Sequence, residues 1–124
     1  IRNHFREARI HFALVCAAAG CPPLRPEAYT GAKLEGQLEE QTRLVHSKET
    51  WLRFDHREGL LELSPIYEWY YSDFEKISGS VQAHASRYHA ALQQAARSGR
   101  DIRVRYLDYP WHWELNGRAE KRPR

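Results

Sequence analysis

No stretch of this 124-residue chain approaches the ~18 consecutive apolar residues that a membrane-spanning helix requires. No internal repeat and no low-complexity tract interrupts it, which removes solenoids and compositional linkers from consideration. Cysteine is scarce, with two residues, and methionine is missing altogether. Neither a Cys-x-x-Cys nor a His-Glu-x-x-His spacing occurs, so the seven histidines have no common zinc pattern to serve. A signal-peptide pattern is also missing, and the first residue is Ile. The opening IRNHFREARIHFALV runs almost at once into buried-looking sequence, so we expect a fragment or a processed chain, and the start says little about compartment.

What is present points to one folded domain. Hydrophobic residues make up 42% and aromatics 12%, including four Trp and seven Tyr, which argues against disorder. At this length a chain hides roughly 65% of its unfolded surface, enough for a core without staples. The net charge of +3 is uneven. Residues 97 to 124 hold eight Lys/Arg against four Asp/Glu, which reads as a solvated tail rather than a site for an anionic partner.

Along the chain, IHFALVC (10 to 16) is a short apolar run bounded by small residues and Gly20, and predicts a central buried strand. His11 would then point to the face opposite Ile10, Phe12, Leu14 and Cys16. The segment CPPLRPEAY is irregular because its prolines remove donors. Thr30 is an expected N-cap for a helix with Leu34, Leu38, Gln41 and Val45 on one stripe. WLRFDHREGLLELS predicts a hairpin turning at Gly59, and Ser64-Pro65 predicts a helix start. Ile66, Trp69, Tyr70, Phe74 and Ile77 form an apolar stripe that also carries Asp73. An acid there needs a partner, and the expected ones are the loop from Cys16 to Leu24 or the arginines of the strand IRVRYL, Arg103 and Arg105. A third helix carries Val81, Ala85, Tyr88, Leu92 and Ala95 and stops at Gly99. The sum is an α+β domain over residues 1 to 117, with a small, mostly antiparallel sheet of about four strands and about three helices, followed by a basic tail over 118 to 124.

Three blocks, RIHFALVCAAAGCPPLRPEAYTG, LSPIYEWYYSDF and RVRYLDYPW, occur in an order that resembles the domain-of-unknown-function family 547. The resemblance implies an α/β domain of bacterial, often exported, proteins, with no established reaction. Val15 and Ala18 stand where the family pattern has Asn and Ser, and Pro110 where it has Asp. The family domain extends upstream, so this chain is expected to be its C-terminal portion, with a missing N-terminal half packing on it.

The residues offer three readings of the cysteines. Cys16 and Cys21 can close a local disulfide worth roughly 2 kcal/mol if their Cα atoms lie within about 7 Å. Cys21 can be a nucleophile with His11 as base and Asp73 as its orienter, in a cysteine-dependent hydrolase or acyl transferase. Or both can be buried thiols. Arg103, Arg105, Trp111 and Trp113 are candidate ligand-binding residues. No nucleic-acid motif accompanies them, so a nucleic-acid partner is not expected, and no cofactor or metal is implied. The favoured function is an uncharacterised, non-catalytic module of a larger exported protein.

Overall fold

The computed structural model describes residues 2, 4–15, 18 and 20–108. Pro110, Trp111, His112, Trp113, the tail and Cys16 therefore lie outside the described residues. Within them the chain forms six helices and three strands, an α+β domain: α1 (Ile10–Ala13), α2 (Leu34–His46), β1 (Leu52–Asp55), β2 (Leu60–Leu63), α3 (Pro65–Trp69), α4 (Tyr71–Ser78), α5 (Val81–Ser86), α6 (Ala90–Arg97) and β3 (Arg103–Tyr106).

Among the described residues the sheet has the order β1-β2-β3 and is mixed, not mostly antiparallel, with three strands instead of the expected four. β1 and β2 make the expected hairpin, with Leu52 opposite Leu63. β3 returns to the far side of β2 in parallel, with Leu61 beside Val104. A parallel return needs a long crossover, and α3 to α6 supply it. At the hairpin Gly59 has φ 63°, and a Cβ there would sit 2.9 Å from the carbonyl oxygen of Asp101. Glycine is thus required twice over at that turn.

The strand expected over 10 to 16 is not formed by its described residues, where Ile10–Ala13 make a single helical turn instead. The N–H groups of His11, Phe12 and Leu14 donate to the carbonyls of Ala8, Arg9 and Ile10, so the backbone satisfies itself locally. Consecutive helical residues lie about 100° apart, so His11 and Phe12 can both face inward, as strand neighbours cannot. Both are buried, while Leu14 is 68% exposed. Apolar character alone could not separate these two geometries.

The expected second and third helices are each broken in two. Tyr70, at φ −114° and ψ 26°, separates α3 from α4 and resets the helical phase. Tyr67 is thereby fully buried and Trp69 is half exposed. His89 separates α5 from α6 and accepts the Leu92 N–H on its Nδ1, acting as N-cap. Ser64 caps α3 with Pro65 behind it, as expected. The predicted cap Thr30 lies outside α2, whose N-cap is Lys33.

The core centres on Phe12, fully buried, whose ring meets Trp51 at 5.6 Å and Phe74 at 5.8 Å. Leu61, Leu63 and Leu92 are also fully buried. The inward face of α2 is unusually polar. Gln41 donates to the Pro23 carbonyl at 2.9 Å, and Gln37 donates to the Ala28 carbonyl while accepting the Thr30 N–H. These bonds hold the proline-rich segment in place where no regular structure could.

Candidate functional site

Two of the three residues expected to form a catalytic set, His11 and Asp73, meet directly. α1 and α4 lay His11 against Asp73, with Nε2 2.8 Å from Oδ2. The His11 ring stacks on Tyr70 at 3.9 Å, nearly parallel, and lies 5.7 Å from Phe74. Among the described residues Asp73 is partnered neither by residues of the expected loop nor by Arg103 and Arg105. Its second neighbour is Arg2, whose Nε reaches Oδ2 at 2.8 Å and whose guanidinium also lies over the Tyr70 ring. The break at Tyr70 explains this choice, because it turns the start of α4 toward the N-terminal segment.

The electrostatics follow from these partners. The Arg2 hydrogen bond holds the Asp73 carboxyl below its ordinary range, and His11 adds to that. Burial depresses the His11 imidazole, outweighing the opposing pull of Asp73. At neutral pH the pair is therefore a neutral imidazole donating its Nε2–H to an ionised carboxylate. A carboxylate with no proton only accepts, which fixes the tautomer.

Cys21 is 6% exposed, and no described cysteine is free. Arg105 is engaged by Glu62 at 2.6 Å on the outer face of the sheet, where Arg103 is exposed as well. Their expected aromatic companions, Trp111 and Trp113, fall outside the described residues. No described group of three or more His, Cys, Asp or Glu side chains is arranged to hold a metal ion. No described helix is long and apolar enough to cross a membrane.

The sequence reading missed a buried polar chain. His46 Nδ1 donates to the Thr42 carbonyl at 2.7 Å, the Tyr67 hydroxyl donates to His46 Nε2, and His84 Nδ1 donates to the Tyr67 oxygen at 3.2 Å. Burial lowers the His46 imidazole to about 4 and the His84 imidazole to about 3, and raises the Tyr67 phenol well above its usual value. All three are neutral and mutually satisfied, which is the condition for polar groups in a core. The spacing of His46 and Thr42, four apart on α2, was a signal for one of these bonds. Nothing local connects either residue with Tyr67 or His84.

A second missed cluster centres on Arg9, just before α1. Its guanidinium meets Glu7 at 2.7 Å, Glu35 at 2.7 Å and Glu39 at 3.3 Å, tying the N-terminal segment to α2. Both clusters pin elements together.

No curated protein and no solved structure matches the chain. The family described as protein of unknown function, DUF547, matches residues 1–44, bearing out the resemblance over its first block and carrying no reaction with it.

Proposed function

We propose that the chain is a non-catalytic α+β module of a larger, exported bacterial protein. Its domain runs to about residue 117 ahead of a basic tail, and Cys21 is joined to Cys16 in a local disulfide. The observation that carries this reading is that no described cysteine is free. Hydrolysis or acyl transfer on Cys21 needs a thiolate whose proton a nearby imidazole has taken. A sulfur already bonded to sulfur has neither proton nor lone charge to offer. His11 and Asp73 are accounted for without it, as a closed link between α1, α4 and Arg2. Export fits the same chemistry, because disulfides persist in oxidising compartments.

The test is to treat the folded protein with a thiol-alkylating reagent, with and without reductant, and to count adducts by intact mass. The reading predicts no adduct without reductant and two with it. One fast-reacting thiol without reductant would overturn it in favour of a cysteine-dependent hydrolase or acyl transferase using Cys21, His11 and Asp73. Two slow thiols in both conditions would overturn the disulfide.

A further inference from the structure

The turn at 47–50 separates an N-terminal part, up to His46 at the end of α2, from the hairpin, the helices α3 to α6 and β3. Each part has bonds of its own. The proline-rich segment and Arg9 are tied to α2, while the second part holds the sheet. The apolar core is shared unequally: Ala8, Phe12 and Val45 come from the first part, and its other buried members, from Trp51 to Ile102, come from the second. The second part therefore keeps most of a core when the first is taken away.

The seam between the parts is rich in imidazole. Among the described residues, the side-chain hydrogen bonds that cross it join Arg2 and His11 to Asp73, and Tyr67 to His46. The Phe12 ring, the seam's apolar centre, lies 4.8 Å from the His46 ring and 6.0 Å from the His84 ring. Parting the seam thus wets both imidazoles, which the closed fold buries.

The closed seam has no place for two more protons. The Tyr67 hydroxyl lies between His46 Nε2 and His84 Nδ1 and has one proton of its own. With both rings charged, each nitrogen donates to the Tyr67 oxygen, and the hydroxyl proton is left without either acceptor. The neighbouring charges do not repair this. Arg9, Arg87 and the other imidazole oppose a cation at His84, against Glu7, and His89 opposes one at His46. Tyr88, stacked on His46 at 4.9 Å, brings a neutral ring. At His11, burial and Arg2 outweigh Asp73.

We infer that this seam is an acid-operated joint: as pH falls, the part ending at His46 separates from the hairpin, α3 to α6 and β3 while the sheet stays folded, uncovering the apolar faces around Phe12. A wetted imidazole takes up its proton near the ordinary value of about 6.5, whereas the closed seam holds His46 to about 4 and His84 to about 3. The open form binds more protons, so it gains as pH drops below about 6.5 and gains nothing above it. The inference rests on the seam and not on Cys21, so the alkylation result leaves it untouched.

The test is amide hydrogen exchange of the full chain at pH 7 and pH 4.5, corrected for intrinsic rates, with the ring ¹⁵N signals of His46 and His84 followed over the same range. The slowest amides of α2 should lose protection at least about tenfold, while the paired amides of β1, β2 and β3 keep theirs. The two rings should become charged over the interval in which α2 opens. Equal loss in α2 and the strands would show global unfolding and overturn the inference. So would loss confined to the strands, unchanged protection in α2, or opening of α2 with both rings still neutral.

Discussion

His11 Nε2 and Asp73 Oδ2 meet at 2.8 Å although 62 residues separate them in the chain. The bond joins two elements that share no local sequence signal, and it leaves a carboxylate on an apolar stripe properly partnered. Asp73→Asn removes the charge that both His11 and Arg2 address. Arg2 is half exposed, so its share is small, and the buried imidazole loses a charged acceptor. The expected loss is about 1–2 kcal/mol by chemical denaturation. A change under about 0.5 kcal/mol, the range of an ordinary surface substitution, would make the pair incidental.

Tyr67→Phe deletes the hydroxyl between His46 and His84 and leaves two buried ring nitrogens without a partner. Each such orphan costs about 1–3 kcal/mol. The loss should exceed by at least about 1 kcal/mol that of Tyr71→Phe, whose hydroxyl donates to Glu75 at an exposed position. Equal losses would show that the buried chain contributes nothing special.

The same two histidines set an acid limit. Their folded values, about 4 and about 3, lie below the ordinary 6.5, so the unfolded chain binds the extra protons first. Stability is then unaffected by these groups above pH 6.5 and falls as pH drops from 6.5 toward 4. Each contributes a slope of about 1.4 kcal/mol per pH unit within that window. Denaturation midpoints measured between pH 8 and pH 4 should be flat in the upper part and decline steeply in the lower. A flat profile down to pH 4 would contradict the buried neutral pair.

A pair of substitutions separates the helical turn at 10–13 from the strand expected there. Phe12→Ala should cost about 3–5 kcal/mol through cavity formation, and Leu14→Ala under about 0.5 kcal/mol. A strand would place both side chains on one buried face and make both substitutions costly.

Much of this fold is legible in the sequence, for identifiable reasons. The hairpin, its Gly59 turn, the Ser64-Pro65 helix start and the glycine stop at Gly99 follow from local backbone chemistry, and the structure has all of them. The strand expected at Ile10 failed because an apolar run of seven residues carries no period, and tertiary contacts chose the helical turn. The breaks at Tyr70 and His89 were hidden because the stripes continue through them at nearly helical spacing. His11 and Asp73 were legible as residue types, Asp73 by its misfit on an apolar face. Their true third partner, Arg2, sits in a segment with no pattern of its own. The buried chain through Tyr67 was invisible because it exists only after three helices meet.

The central claim is that His11 and Asp73 form a fixed structural link and not an acid–base machine. The most direct test is the long-range ¹H–¹⁵N spectrum of the His11 ring across pH 5 to 8. The account predicts a neutral ring at pH 7 with its proton on Nε2, and a titration midpoint below 6.5 because burial disfavours the cation. A midpoint at or above 7, or a proton on Nδ1 in the neutral ring, would contradict it, since either would show an imidazole poised to exchange protons.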